Sequence, residues 1–351
     1  MPPAPPDPAF DMSAIPEEIQ ALYDSGAPLF TKARLRSFSE QLKRHAEGTL
    51  EKDNLLIEGV DHKEIQMRLR YPRDFTFPDG RLVRANKPII NYITIQEMTL
   101  PGMLTRWHPE AYLSLRPVFS CVEVDTKAAD GAEPPRDTPR ALTAEELGRE
   151  FRKQKAEWET TSEYAALRDI FLANAAGLSR VRKIVGLALG PMVQGDNGEQ
   201  TQDKSLLQYA FLLVARDFLA RSDPNGGEIP CFAQDPALTP NAVAALEEAG
   251  IKVLNDPEAF LETDDTTFLV SICPNVPVKQ IVADIARPVA IIWDWVTVRT
   301  EKDSFTTDPP SARVDAMVND EYVRLEFPHC DHFYPDITKF FMKKEAEEQK
   351  D

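Results

Sequence analysis

The chain has 351 residues, with 57 Asp plus Glu against 40 Lys plus Arg and a formal net charge of −17. Such acidity repels phosphate backbones and excludes general nucleic-acid binding. No run of apolar residues reaches the length of a membrane span. Four cysteines (Cys121, Cys231, Cys273 and Cys330) form no C-x-x-C pair, which predicts free thiols in a reducing compartment. The opening Met-Pro-Pro-Ala-Pro-Pro-Asp-Pro has no basic n-region and no apolar h-region, so no secretory signal is expected. A cytoplasmic protein is predicted, with the nucleus as a second compartment.

Residues 1–14 are Pro-rich, a composition expected to be disordered. A helical and β region is predicted over 15–124. Its first helix starts at Pro16, with Glu17 and Glu18 in the first turn. Thr31 caps a second, with Leu35, Phe38 and Leu42 on one face and Gly48 closing it. From Lys63 to Tyr71 apolar and polar residues alternate, the period of a strand with one wet face. Pro78-Asp79-Gly80 reads as a turn into Arg81–Ala85. Further strands are predicted at Ile89–Gln96 and Val118–Val124.

Residues 125–141 read as a linker or long loop. Thr143 and Glu146 form a T-x-x-E capping box opening a charged helix through Thr160. Ser162 is read as the cap of another. From Arg182 short apolar runs alternate with amphipathic segments, the pattern of a parallel sheet with crossover helices. The predicted strands are Ile184–Leu189, Cys231–Gln234, Ile251–Leu254, Thr267–Cys273 and Val289–Trp293. Gly190–Gln202 reads as a polar loop. Leu206 to Phe218 reads as a helix with a broad apolar face. Thr239-Pro240 opens a helix that Gly250 ends, and Val278–Ile285 is a crossover helix. The fold class is α/β: a Rossmann-like three-layer sandwich with a mainly parallel sheet over 142–341, preceded by the smaller N-terminal region. Residues 342–351 are a charged tail, read as a frayed helix end. Right-handed crossovers put the strand carboxyl ends, at Gly190, Asp235, Cys273 and Asp294, on one rim.

Several stretches resemble the sensitivity-to-red-light-reduced (SRR) domain family, a fungal branch of it. They are Lys183 to Pro191, Gln208, Asp235-Pro236-Ala237-Leu238-Thr239, Gly250-Ile251-Lys252-Val253, Thr267 to Pro274, the final Ile291-Ile292 strand and Phe333 to Phe341. Two departures stand out. Ser271-Ile272-Cys273 replaces the family's frequent Pro-His-Cys, and Trp293-Asp294 replaces its Gly-Asn. The resemblance implies a non-catalytic intracellular regulator acting through protein partners. Family members are linked to light and clock signalling in plants, haem metabolism in animals, and cytoskeletal or proteostasis phenotypes in yeast. It brings no settled enzymatic activity, and no catalytic residue or cofactor is assigned.

The rim suggests a small ligand, with Gly186, Gly190, Asp235, Cys273 and Asp294 as candidate contacts. Gly186, Gly190, Gly195 and Gly198 lack G-x-G-x-x-G spacing. Gly190 to Gly195 has the P-loop separation, but Asp196-Asn197 follows where Lys and Ser/Thr are needed. A close-packed strand end is the competing reading. Asp235 ends the second strand, where an acid can hold a ribose, or it caps an Asp-Pro turn. A nucleoside or S-adenosylmethionine-type ligand fits this set better than a dinucleotide, and an enzyme using the rim is the rival to regulation. A third alternative is a haem-responsive binder through Cys273 or Cys330. His329, Cys330 and His332 are weak metal candidates, because one cluster of adjacent residues lacks the two separated pairs typical of zinc. Trp293 and Trp295 either line a pocket or cover the sheet edge. There is no G-x-S-x-G and no H-E-x-x-H.

Overall fold

The computed structural model describes residues 14–70, 72, 74–77, 82–100, 109–124, 142–192, 199–222, 227–295, 306–330, 333–334 and 337–344. The Pro-rich start, the Pro78-Asp79-Gly80 turn, the 125–141 linker and the tail beyond Lys344 lie outside these residues. The chain divides into two compact units, Met1–Thr138 and Pro139–Asp351.

The first unit carries helices α1 (Ile15–Asp24) and α2 (Lys32–Ala46), then strands β1 (Asn54–Glu58) and β2 (Glu64–Arg68). Strands β3 (Phe75–Thr76) and β4 (Leu82–Tyr92), helix α3 (Ile95–Thr99) and strand β5 (Leu115–Val124) follow. Thr31 caps α2, as predicted, by accepting from the Arg34 N–H. β1 and β2 form one antiparallel pair, and β3, β4 and β5 a second antiparallel sheet. The predicted strands at 81–85 and 89–96 are one strand with a bulge between Ala85 and Pro88. It stops at Tyr92, because Thr94 and Glu97 form a reciprocal capping box that turns Ile95-Gln96 into helix.

The second unit opens with α4 (Ala144–Trp158), α5 (Ser162–Ala173) and the single turn α6 (Ala175–Leu178). Thr143 and Glu146 form the predicted capping box. Thr161, not Ser162, caps α5. Next come β6 (Lys183–Leu187), α7 (Glu199–Ser222), β7 (Cys231–Gln234), α8 (Pro240–Glu248), β8 (Ile251–Val253) and α9 (Glu258–Glu262). Then follow β9 (Thr267–Ser271), α10 (Val278–Ile285), β10 (Ala290–Asp294), α11 (Ala312–Glu321), β11 (Tyr322–Leu325) and β12 (Thr338–Lys343). Lys343, read from sequence as part of a helical tail, ends a strand.

The seven strands run in the order β11-β12-β10-β9-β6-β7-β8. β10, β9, β6, β7 and β8 are parallel, and β12 lies antiparallel to both β10 and β11. The fold is thus the predicted α/β arrangement with a mainly parallel sheet. Strands buried on both faces explain the continuous apolar runs. Ile184, Ala233, Phe268, Val270, Ala290, Ile292 and Phe340 share a core with α4, α5, α7 and α8. One residue out of step, Val185, Leu187, Leu269, Ile291 and Trp293 are also buried and belong to the other face. On the first face Phe171 packs against Phe211, Phe218, Phe268 and Phe340 at centroid distances of 5.4–6.4 Å. Each such pair contributes about 0.5–1.5 kcal/mol beyond its buried area.

β6 is the first strand of the central sheet. From it the chain steps outward through β7 and β8, then returns to β9 on its other side. The reversal falls between the carboxyl ends of β6 and β9, the position at which open α/β sheets bind their ligands.

Candidate functional site

The β6 end is shaped by two left-handed residues, Ala188 at φ +51° and Gly190 at φ +88°. Gly190 is required on two grounds. Its φ is disfavoured for any side chain, and a Cβ there would lie 2.6 Å from Ser205 Oγ on α7. The buried Tyr209, one turn further along α7, donates its hydroxyl to the Gly190 carbonyl at 2.9 Å. Burial, with the Asp235 charge nearby, holds the Tyr209 hydroxyl well above its ordinary pKa, so it remains a donor.

Asp235 is buried at the end of β7 and already has partners. Oδ2 accepts from the Gly190 N–H at 2.7 Å, and Oδ1 accepts from the Ala237 N–H at 2.8 Å. Burial raises its pKa, against the pull of those two amides. Asp235 makes the Asp-Pro turn, and it reaches across to the glycine of the neighbouring strand end. The Gly190 amide that would greet a phosphate in a dinucleotide site is held by an acid of the chain itself.

Gly186 has a different place. A Cβ on it would meet Leu189 Cδ1 at 2.7 Å and Leu212 Cδ1 at 2.9 Å, so its neighbours are core side chains. Its role is close approach of β6 to α7. Gly195, Gly198, Asp196 and Asn197 lie outside the described residues.

On the other side of the reversal Cys273 follows β9 in a left-handed conformation, φ +52°. Its N–H donates to Asp294 Oδ1 at 2.9 Å. The residue is exposed, yet burial of the thiol and the Asp294 charge raise its pKa to about 11. A neutral thiol is a poor nucleophile and a poor metal or haem ligand. Asp294 Oδ2 accepts from Lys279 Nζ at 2.9 Å, and the same ammonium lies 2.9 Å from Asp308 Oδ2. The rim therefore contains a buried carboxylate–ammonium–carboxylate cluster, two members of which, Lys279 and Asp308, the sequence reading did not single out.

The α7 wall is periodic. Lys204 Nζ lies 4.1 Å from the ring centroid of Tyr334. Phe211 packs against Phe268 of β9 and against Phe333, and Leu212 meets Gly186. Gln208 stands four residues after Lys204 and four before Leu212, so it lies on the same helix face. It is 3% exposed, and its Oε1 has no hydrogen-bond partner among the described residues. An unmade hydrogen bond of this kind costs about 1–3 kcal/mol. Tyr334, at φ +49°, leads into β12, whose first residue Thr338 pairs with Asp294. The non-glycine left-handed residues among the described part of this unit, Ala188, Cys273 and Tyr334, thus all sit on one rim. Strained backbone concentrates at functional sites.

The remaining candidates are elsewhere. Cys330 belongs to the buried core, and His332 lies outside the described residues. Among the described residues no three of His, Cys, Asp and Glu gather as a metal site. Trp293 is fully buried against Phe341 and covers the sheet rather than lining an open pocket. Cys231 and Cys273 are free thiols. No helix among the described residues is long and apolar enough to cross a membrane.

Comparison with known proteins gives three results. A family model described as the SRR1 domain matches residues 158–350. No curated protein matches the chain. Solved structures similar to it include an O-methyltransferase from Bacillus cereus in complex with SAH, at 13% identity and a TM-score of 0.28, covering 63% of this chain and 96% of that one. A putative methyltransferase from Thermobifida fusca YX is 12% identical, with a TM-score of 0.28, covering 57% of this chain and 83% of that one. Neither supplies a role for any residue.

Proposed function

The chain belongs to the SRR1 domain family, and we propose that it is an intracellular regulatory protein without catalytic turnover. Its α/β unit holds a small ligand in the crevice between the β6 and β9 ends, and protein partners read the occupied state. The observation that carries this reading is Gln208 Oε1 on α7, a buried acceptor with no hydrogen-bond partner among the described residues. A ligand with an N–H or O–H donor would satisfy it. Gly190, Cys273 and Tyr334 would border that ligand. Asp235 and Asp294 would shape the border rather than perform acid–base chemistry, because each already accepts two hydrogen bonds from the chain.

The test is a thermal-shift panel on the full chain with nucleosides, nucleotides, S-adenosylmethionine, NAD(P) and haemin, since a ligand that binds the folded state raises its melting temperature. A saturable shift with one class supports the reading. No shift with any of them defeats the ligand part of it. The enzymatic alternative is separated by mass spectrometry of the shifting compound after incubation with the protein. Consumption of that compound at many equivalents per chain would replace the regulatory reading with a catalytic one.

A further inference from the structure

Gln208 Oε1 is matched by a second buried atom of opposite hydrogen-bonding sense. Trp158 Nε1, near the end of α4, also has no hydrogen-bond partner among the described residues. Trp158 is 5% exposed and Gln208 3%, so neither atom is open to bulk water. Aromatic rings join the two positions. Trp158 packs against Phe211 at a centroid distance of 6.3 Å and against Phe333 at 5.6 Å, and Phe211 and Phe333 lie 5.7 Å apart. Gln208 stands three residues before Phe211, on the same face of α7. The acceptor and the donor thus border one three-ring cluster. Tyr334, which follows Phe333 and has Lys204 Nζ over its ring at 4.1 Å, carries that cluster outward to the rim.

The chemistry of these atoms restricts what can meet them. An indole N–H only donates, and an amide oxygen only accepts. They do not bond each other. One group satisfies both when it offers an acceptor and a donor side by side. The flanking rings favour a flat aromatic partner. A carboxylate or phosphate lacks the donor, and an aliphatic alcohol lacks the flat face. A heteroaromatic ring with a ring nitrogen or carbonyl beside an N–H has all three properties. We propose that Trp158 and Gln208 together read the edge of a nucleobase, its acceptor on Trp158 Nε1 and its donor on Gln208 Oε1. The assignment rests on the α/β unit holding a small ligand, and it makes Trp158 a binding residue as well as a core aromatic.

The test uses the full chain, labelled with 15N at the indole nitrogens of its four tryptophans. Trp158→Phe assigns the Trp158 resonance, because it keeps a ring in the cluster and removes the N–H. Adenosine, inosine, guanosine and uridine each carry a donor beside an acceptor. Purine riboside and 3-methyluridine keep the rings and lack that donor. At least one of the first four should move the Trp158 indole resonance, while Trp293, on the opposite face of the sheet, stays in place. The donorless counterpart of that compound should bind at least about tenfold more weakly, because it leaves Gln208 Oε1 unmet. In Gln208→Met the preference for the donor-bearing compound should vanish.

A saturable thermal shift with any compound that leaves the Trp158 resonance in place overturns the nucleobase assignment and keeps the ligand reading. No binding by any nucleoside, nucleotide, S-adenosylmethionine, NAD(P) or haemin overturns both. Equal affinity for the donorless counterpart overturns the contact with Gln208. A water cross-peak to the Trp158 N–H that persists with nucleoside bound assigns the two atoms to a buried water and also overturns it. Should Trp158→Phe fail to fold, calorimetric affinities in the wild type and Gln208→Met decide. A preference for the donor-bearing compound that collapses in the variant supports the assignment, and one that is the same in both proteins removes it.

Discussion

Asp235→Ala removes the contact that joins the β7 end to the β6 end. Gly190 is half-buried, so its N–H loses an acceptor without full access to water. That loss is worth about 1–3 kcal/mol. Ala237 is exposed, so water replaces most of its bond, leaving about 0.5–1 kcal/mol. Against these stands the relief of a buried charge, visible in the raised pKa of Asp235. The net expectation at pH 7 is a loss of roughly 2–3 kcal/mol, or about 4–12 °C for a unit of this size. Because the folded-state pKa is raised, ionisation of Asp235 opposes folding. The benefit of having Asp235 is then largest in acid and shrinks as pH rises past its raised value. Calorimetry of wild type and variant between pH 4 and 8 measures both parts. A loss below about 0.5 kcal/mol, or a penalty that grows with pH, would refute the clamp.

Gly190→Ala should destabilise by about 1–2 kcal/mol from its left-handed φ and a further 1–3 kcal/mol from overlap with Ser205. Adding Ser205→Gly should recover only the second part in urea unfolding, and no recovery would show that the close approach is not the cause. Cys273, with its thiol near pKa 11, should react with iodoacetamide about a hundredfold more slowly at neutral pH than an unperturbed thiol. Peptide-level labelling rates should keep rising above pH 9, and a plateau near pH 8.5 would contradict the burial of that thiol. Lys279→Met leaves two buried carboxylates unpaired and should lose about 3–5 kcal/mol. Asp308→Asn placed in that background should restore part of the loss, and strict additivity of the two changes would show that they do not share a site.

Local pattern was enough for much of the α/β unit. Cys231–Gln234 and Val278–Ile285 fall where an apolar run and a helical period put them. Thr143 and Glu146 identify the start of α4. The same motif at Thr94 and Glu97 sits inside an apolar stretch that reads as one long strand, which hides it. β12 is harder in kind. Phe333 to Phe341 stands out as a motif, but its insertion antiparallel between β10 and β11 depends on distant partners that no local period records. The rim itself was legible, since strand ends and crossover handedness bring Gly190, Asp235, Cys273 and Asp294 to one side. Their bonding was not. Lys279 sits in an amphipathic helix where a lysine ordinarily faces water, and Asp308 reads as a turn before Pro309-Pro310. Gly186 resembles a ligand-loop glycine in sequence, and only its neighbours Leu189 and Leu212 reveal a packing position.

The ligand crevice is tested most directly at Gln208. Gln208→Met keeps the length of the side chain and removes the Oε1 acceptor that no described residue satisfies. Without ligand the variant should be more stable than wild type by about 1–3 kcal/mol, and calorimetry reads this as a higher melting temperature. The shift that a binding compound produces in wild type should at the same time disappear. These opposite signs in one variant mark a residue held unsatisfied for a ligand. A variant less stable than wild type that still shows the full ligand shift would contradict the assignment and leave Gln208 as a structural residue.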